Sequence, residues 1–183
     1  MGRGKVERSK QRPYRKPDSR VIGETMTRIV SKEESGISLS ARGDWFHHGE
    51  PVLHPRVIQL FHRAIRRDNE GRYYLYNVVG ALEENVYFEV EDTAFFVLRL
   101  EFDEATKSFT VCLNNEDKET LDVKTLREDE RGVMYCRTQD GDRARFSQSA
   151  LMSLSDFVKT EGDLIYIDVT GEKVIISEMY CGM

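Results

Sequence analysis

The sequence has few cysteines, no long apolar segment and no secretory signal. Its three cysteines, Cys112, Cys136 and Cys181, are widely spaced and form no C-x-x-C pair, so neither a disulfide scaffold nor a zinc ribbon is expected. A membrane-spanning helix needs about 20 consecutive apolar residues, whereas apolar runs such as residues 94–98 stop after five. The first residues are basic and lack the apolar core of a signal peptide. We therefore expect a cytoplasmic protein that does not cross a membrane.

Familiar catalytic motifs are also missing. The chain has no G-x-S-x-G nucleophile elbow, no Walker A sequence and no G-x-G-x-x-G loop. All four histidines lie between His47 and His62 and could ligate a metal with Asp44 or Glu50, but they form no H-E-x-x-H or H-x-H pattern. If His47 and its neighbour His48 lie on a strand, they point to opposite faces. We expect surface or capping histidines, no metal and no cofactor.

The charge is unevenly distributed along the chain. The formal net charge is -5, but residues 1–20 carry eight lysines and arginines against two acidic residues. This basic segment has Tyr14 as its one large apolar-bodied side chain and is predicted to be disordered in isolation. It could hold phosphates, lie on the acidic remainder of the chain, or remain a solvated leader. Because the remainder is acidic, we do not expect a nucleic-acid partner.

Hydrophobic periodicity predicts two helices among many strands. Pro55 begins the stronger helix, predicted over residues 55–67, in which apolar residues recur at helical spacing as far as Ile65. A second helix is predicted from Ser147 or Ser149 to about Val158. Strands are predicted within residues 28–40 and over residues 45–47, 72–79, 86–90, 96–102, 109–113, 133–138, 143–146, 164–169 and 173–176.

The order of these elements repeats. Residues 37–90 and residues 133–177 each run hairpin, helix, strand, strand, with turns at Gly43 and Gly141 in equivalent places. The pattern is typical of an α+β fold in which each helix packs on an antiparallel sheet. The sequence therefore predicts a repeated hairpin-helix-strand-strand motif.

This repeat divides the chain into a tail and two small α+β domains. We predict a basic disordered tail over residues 1–20, an N-terminal domain over residues 21–103 and a C-terminal domain over residues 104–183. A unit of about 80 residues buries a limited core, so the two domains are expected to pack against each other.

Several short motifs between residues 37 and 102 follow the order and spacing of one bacterial family. They are W-F-H-H-G-E-P-V at 45–52, L-F at 60–61, R-R-D at 66–68, G-R-Y-Y-L at 71–75, and V-E-D at 90–92 followed by Phe95 or Phe96. In these motifs the chain resembles the DUF1285 family, a domain of unknown function. Two loops differ, because Y-N-V at 76–78 replaces V-T-P and T-A-F at 93–95 replaces A-P-F. The resemblance implies two α+β domains with a repeated motif and a role in signalling or ligand binding, without an established activity.

Five residues are candidates for a ligand-binding cleft: Trp45, Arg66, Arg67, Glu91 and Asp92. Arginine forks suit carboxylates and phosphates, so the two arginines and Glu91 could line a cleft that holds an anionic ligand. The alternative is structural, with Glu91 and Asp92 forming ion pairs with Arg66 or Arg67 that fix the helix against the sheet. Trp45 is expected to plug the end of the core, or else to stack on a ligand.

These features favour a non-catalytic cytoplasmic module of regulatory or signalling function. It would bind a small ligand or a protein partner in a cleft or at a sheet edge. One alternative is a small hydrolase-like enzyme that uses His47 or His48 with a carboxylate, which requires an acid, a base and a pocket to converge. The other is nucleic-acid binding through residues 1–20, which would depend steeply on salt.

Overall fold

The computed structural model describes residues 26–161, 164–169 and 172–178. The predicted basic tail and Cys181 lie outside the described residues. The first half contains β1 (Met26–Val30), α1 (Lys32–Ser35), β2 (Ile37–Leu39), β3 (Trp45–His47), β4 (Glu50–Pro51), α2 (Pro55–Ala64), β5 (Ile65–Arg67), β6 (Tyr73–Val79), β7 (Leu82–Tyr87), β8 (Glu89–Val90) and β9 (Phe95–Asp103). The second half contains β10 (Ser108–Leu113), β11 (Lys118–Thr120), β12 (Arg127–Glu128), β13 (Met134–Arg137), β14 (Arg143–Phe146), α3 (Gln148–Ser155), β15 (Val158–Glu161), β16 (Leu164–Val169), β17 (Glu172–Ile175) and β18 (Ser177–Glu178).

The described strands form four sheets. The orders are β1-β7-β6-β5, β4-β3-β2-β8, β11-β10-β9-β14-β13-β12-β18 and β15-β16-β17. Three of the sheets are mixed, because β1 runs parallel to β7, β2 to β8, and both β9 to β14 and β12 to β18. The predicted α+β class is confirmed in broad terms, although strands far outnumber helices. None of the helices in the described residues has the length and hydropathy needed to cross a bilayer.

The predicted repeat of the whole motif is not shown. The turns of the two hairpins are closed by the same kind of backbone hydrogen bond. Ser40 N–H donates to Asp44 O at 2.9 Å, and Thr138 N–H donates to Asp142 O at 2.8 Å. However, β2 and β3 belong to a small four-stranded sheet, whereas β13 and β14 lie inside the seven-stranded sheet. Similar turn chemistry therefore closes two hairpins that have different sheet partners.

The stronger helix is shorter than predicted. α2 begins at Pro55, as expected, but it ends at Ala64, and residues 65–67 form β5 alongside β6. Ile65 has an extended backbone (φ -57°, ψ 128°) and is buried. Arg66 Nη1 donates to the carbonyl oxygens of Arg63 at 2.9 Å and Ile65 at 2.6 Å. The guanidinium thus satisfies carbonyl groups that the end of the helix leaves free.

Two hydrophobic cores adjoin at β9. The first core consists of Leu39, Trp45, Ile65, Leu75, Phe88, Ala94 and Phe96. The second core consists of Val97, Leu100, Phe109, Val111, Leu113, Leu121, Leu126, Met134, Cys136, Ala144, Phe146, Ala150, Leu154 and Ile167. The change occurs between Phe96 and Val97, because successive side chains on a strand face opposite sides. The division into two domains at residue 103 stays a prediction, and β9 pairs with β10 across that position.

Candidate functional site

A cavity of about 610 Å³ lies between α2 and β5 on one side and the turns of the second half on the other. Small-ligand sites generally have volumes of roughly 300–1,000 Å³. Charged side chains of both signs dominate its lining, and we call it the bipolar cleft. It is lined by Arg63, Ile65, Arg66, Arg67, Phe95, Leu113, Asn115, Asp117, Glu119, Thr138, Asp140 and Asp142.

Three arginines form the basic wall of the bipolar cleft. Arg63, in the last turn of α2, donates to the carboxylate of Glu116. Arg67 on β5 pairs with Asp142 Oδ1 at 3.2 Å. Arg66 makes no ion pair within the part of the chain that the structure describes, and its known hydrogen bonds use one nitrogen only. Because a guanidinium carries five N–H donors, Arg66 retains donors for an anion.

Four carboxylates form the acidic wall. Asp117 closes the turn after β10, Glu119 lies on β11, and Asp140 and Asp142 belong to the turn between β13 and β14. Burial raises the pKa of Glu119, and the nearby charges of Asp140, Asp117 and Asp142 raise it further, against the hydrogen bond from Gln139 N–H. Burial is the main cause of the raised pKa and the three neighbouring carboxylates add to it, so a cation bound beside Glu119 would favour the charged form of this residue.

Asp142 joins the two walls. Its carboxylate is almost fully buried and accepts a hydrogen bond from Tyr73 Oη at 2.8 Å in addition to its ion pair with Arg67. Burial and this bond raise the pKa of Tyr73 well above its usual value. Because breaking a buried pair by removing one partner is costly, Asp142 connects the β13–β14 turn to Tyr73 on β6 and Arg67 on β5.

Asp92 makes a second polar connection between the first and second halves of the chain. Its carboxylate, 7% exposed, accepts hydrogen bonds from Arg143, from Arg145 Nη1 at 3.3 Å and from Tyr135 Oη at 2.8 Å. Burial and the bond to Asp92 raise the pKa of Tyr135 to about 12. Thr93 Oγ1 also donates to the carbonyl oxygen of Arg143. The residues after β8 are thereby held against β14.

The predicted ion pairs of Glu91 and Asp92 with Arg66 or Arg67 are wrong. Asp92 lies beside β14 and takes its cations from that strand, because β14 pairs with β9 and places two arginines next to it. Glu91 Oε2 accepts a hydrogen bond from Ala41 N–H at 2.8 Å. Neither carboxylate lines the bipolar cleft.

Trp45 is buried in the first core, in agreement with its interpretation as a plug. Its ring lies 5.2 Å from Phe61 in an edge-to-face arrangement and 4.9 Å from Phe88. The ring does not line the bipolar cleft. Of the five candidate residues, the structure therefore brings only Arg66 and Arg67 to one cavity, and their ligand-binding role stays a prediction.

The histidine pair has a geometry that the sequence did not suggest. The His47 and His48 rings lie 4.4 Å apart, and the expectation of opposite faces, which required both residues to lie on a strand, does not apply because β3 ends at His47. His48 has left the strand and adopts a φ of 49°. Both rings are exposed, and neither donates to a carboxylate within the described residues. Over the same residues, no three or more His, Cys, Asp or Glu side chains are grouped to hold a metal.

The acidic wall is the part of the cavity that sequence reasoning missed. The segments around Asn114–Asp117 and Asp140–Gly141 were recognisable as turns from their polar and glycine residues. Their signal was an excess of carboxylates at two turn positions rather than a motif. That the turns face the arginines of β5 depends on the pairing of β10 and β14 with β9.

Comparison with known proteins identifies solved structures that resemble this fold. No protein-family model matches the chain, and no curated protein matches its sequence. Two solved structures match it, both of DUF1285 family proteins. The protein from Silicibacter pomeroyi DSS-3 is 18% identical, with 82% of this chain and 81% of that chain covered and a TM-score of 0.60. The protein from Shewanella baltica OS155 is 17% identical, with 68% and 93% covered and a TM-score of 0.50.

The chain has the fold of these DUF1285 family proteins. The resemblance indicated by the motifs between residues 45 and 92 is thus confirmed as a structural match. At this level of identity the match concerns the fold. The function must be argued from the bipolar cleft itself.

Proposed function

We propose that this protein is a non-catalytic regulatory module whose bipolar cleft binds a small ligand carrying both an anionic and a cationic group. The separation of charge across the cleft is the observation that supports this proposal. Arginines of α2 and β5 form one wall, and carboxylates from two turns and β11 form the other. A zwitterion complements both walls, whereas a ligand of one sign meets repulsion from one of them.

The two walls differ in what they offer a ligand. Arg66 has unused donors that suit the planar fork of a carboxylate. Glu119 has a raised pKa because burial and neighbouring carboxylates disfavour its charge. An ammonium group beside Glu119 would relieve that repulsion. The zwitterion would therefore lie with its acidic end at Arg66 and its basic end near Glu119.

The hydrolase-like alternative is less well supported. An acid–base pair must lie within hydrogen-bond reach in a pocket, whereas His47 and His48 are exposed and make no contact with a carboxylate among the described hydrogen bonds. The nucleic-acid alternative depends on residues 1–20, which lie outside the described residues. The bipolar cleft thus provides the more specific basis for a function.

The test compares three ligands of similar length that differ in charge. Full-length protein is titrated by calorimetry with ε-aminocaproate, which has both charges, and with caproate and hexylamine, which have one each. We expect ε-aminocaproate to bind and to raise the melting temperature. Arg66→Gln and Glu119→Gln should each weaken its binding about tenfold or more, since each removes a charged hydrogen-bond partner.

Arg56→Gln is the matched control, because Arg56 is an exposed arginine of α2 outside the bipolar cleft. It removes the same charge from the helix that precedes β5, the strand of Arg66, and should leave the affinity unchanged. Equal binding of caproate or hexylamine, or an Arg66→Gln variant with unchanged affinity, would contradict the proposal.

A further inference from the structure

A second cavity, of about 440 Å³, lies on the other side of the junction between the two cores. It differs from the bipolar cleft in that no carboxylate lines it. We call it the arginine pocket. It is lined by Arg42, Gly43, His62, Phe96, Leu98, Asn114, Arg145, Phe146, Ser147 and Gln148.

Two arginines give the arginine pocket its charge. Arg42 belongs to the exposed turn between β2 and β3 and makes no ion pair within the described residues. Arg145 on β14 shares the carboxylate of Asp92, at 3.3 Å, with Arg143, and it also donates to the carbonyl oxygen of Ala41 at 2.8 Å. The carboxylate of Asp92 therefore balances both Arg143 and Arg145, while the guanidinium of Arg42 is free to bind an anion.

The first turn of α3 borders the same pocket. Ser147 is the N-cap residue, and its Oγ accepts a hydrogen bond from Ala150 N–H at 3.3 Å. Gln148, the first residue of the helix, lines the pocket. Backbone N–H groups at this end have no acceptor within the helix and carry the positive end of its dipole. They add to the attraction that the two arginines exert on an anion.

His62 contributes an uncharged ring to the lining of the arginine pocket. Its Nε2 atom is shut off from water and has no hydrogen-bond partner among the described residues. Burial lowers the pKa of His62 to about 4, so the imidazole is uncharged near neutral pH. Because water does not reach Nε2, a ligand in the cavity meets the uncharged ring of His62 and not this nitrogen.

Apart from Asn114, whose amide group is already hydrogen-bonded to the backbone of Phe96 and Ala94, the remaining side chains of the pocket are apolar. Phe96 and Phe146 are core residues, and Leu98 on β9 is half exposed. Such a surface favours the body of an organic molecule over a bare hydrated ion.

We propose that the arginine pocket is a binding site for a small organic anion with a carboxylate or phosphate group on a compact apolar body. The anionic group lies between Arg42 and the first turn of α3, and the body packs on Phe96 and Phe146. The uncharged ring of His62 lies in the pocket wall beside the ligand. This site is separate from the bipolar cleft and does not depend on the function proposed for it.

The test titrates full-length protein with benzoate, phenyl phosphate and benzylamine, followed by calorimetry and by the nitrogen resonances of His62. We expect benzoate or phenyl phosphate to bind and to shift the His62 resonances, and benzylamine to do neither. The two aryl anions distinguish a carboxylate from a phosphate headgroup. Arg42→Gln should weaken binding at least tenfold, whereas Arg56→Gln, which removes an exposed arginine outside the pocket, should not.

A second variant tests whether the loss of binding in Arg42→Gln is an indirect effect of that substitution. Leu98→Glu places a negative charge at an exposed position of the pocket wall and should abolish anion binding while the thermal unfolding curve remains cooperative. The proposal is overturned if benzylamine binds as well as the anions, if neither aryl anion binds, if Arg42→Gln leaves the affinity unchanged, or if the His62 resonances do not move. A failure of zwitterion binding at the bipolar cleft would leave this result unaffected.

Discussion

His62 is a titratable residue held in an uncharged state by its position. Its ring lies 5.7 Å from the buried indole of Trp45, which in turn packs on Phe61 and Phe88. Burial lowers the pKa of His62 from the ordinary 6.5 to about 4 in the folded protein. In the unfolded chain the same imidazole regains its ordinary pKa, so the two states bind different numbers of protons between these values.

We predict that His62 makes the protein less stable as the pH falls from 6.5 towards 4. In this range the His62 imidazole binds a proton in the unfolded state and stays unprotonated in the folded state, which favours unfolding. Urea unfolding at several pH values measures the effect. In a His62→Phe variant this contribution should vanish, so the loss of stability on acidification should be smaller than in the original protein.

The variant and the original protein share their other ionisable groups, which cancel in the comparison. An equal loss of unfolding free energy in both proteins on acidification would show that His62 titrates normally in the folded state.

Single residues differed in how far the sequence revealed their roles. Trp45 was predictable as a core residue, because a lone tryptophan beside Gly49 and Pro51 suits a plug. The partners of Asp92 were not predictable, since Arg143 and Arg145 lie 51 and 53 positions further along the chain. Ion pairs of that separation are set by strand pairing, which no local pattern reports.

At the scale of elements, α3 shows a correctly predicted helix start. Ser147 was one of two candidate N-cap residues, and it is the residue that caps the helix, through Ala150 N–H. Its Oγ also lies 3.3 Å from the carbonyl oxygen of Leu98 on β9. The cap therefore serves both the helix and its attachment to the sheet.

We predict that Ser147→Ala lowers the free energy of unfolding by about 1 kcal/mol, the usual cost of removing an N-cap side chain. Chemical denaturation measures the difference. Ser153→Ala is the control, because Ser153 lies within the same helix and its Oγ bonds only to the carbonyl oxygen of Ser149, at 3.3 Å. If the two variants are equally stable, Ser147 does not act as a cap.

Element boundaries were harder to predict where the chain changes its partner without changing its pattern. Ile65 continues the helical spacing of α2 yet begins β5, because its side chain fills the first core from an extended backbone. Residues 86–90 alternate as one strand, but the structure interrupts it at Phe88. The part before Phe88 pairs in the sheet of β6, and the part after it pairs with β2. Periodicity reports which side chains are buried and not which sheet buries them.

At the scale of the whole molecule, Asp92 and its partners connect the first and second halves. Arg143 and Arg145 are partly exposed, whereas the carboxylate between them is buried. Replacing the carboxylate with an amide leaves two cations close together without their counter-charge and turns an N–H donor towards either Arg143 or the pair Tyr135 and Arg145. Breaking such a pair costs more than the loss of a surface ion pair.

We predict that Asp92→Asn lowers the free energy of unfolding by about 2–4 kcal/mol, allowing for the partial hydration of both arginines. Thermal and urea unfolding measure it. The matched control is Glu89→Gln, which breaks the exposed ion pair with Lys32 and should cost less than about 1 kcal/mol. Equal effects of the two variants would contradict a coupling role for Asp92.

The bipolar cleft could be predicted only in part, because its two walls come from distant parts of the chain. Arg66 and Arg67 were recognisable as candidate anion ligands from their residue type and position. The acidic wall opposite them is assembled from β11 and two turns that meet only after β9 has paired with β10 and β14. Fold class followed from local periodicity, whereas the site depends on contacts between distant segments.

The strand β9 separates the two cavities by a single peptide unit. Phe95 lines the bipolar cleft and Phe96, the next residue, lines the arginine pocket. A backbone shift of β9 caused by a ligand in one cavity would therefore move an aromatic ring of the other. Any energetic influence of one cavity on its neighbour would run with equal strength in both directions, as thermodynamic linkage requires, so each ligand could be detected by the change it causes in the affinity for the other.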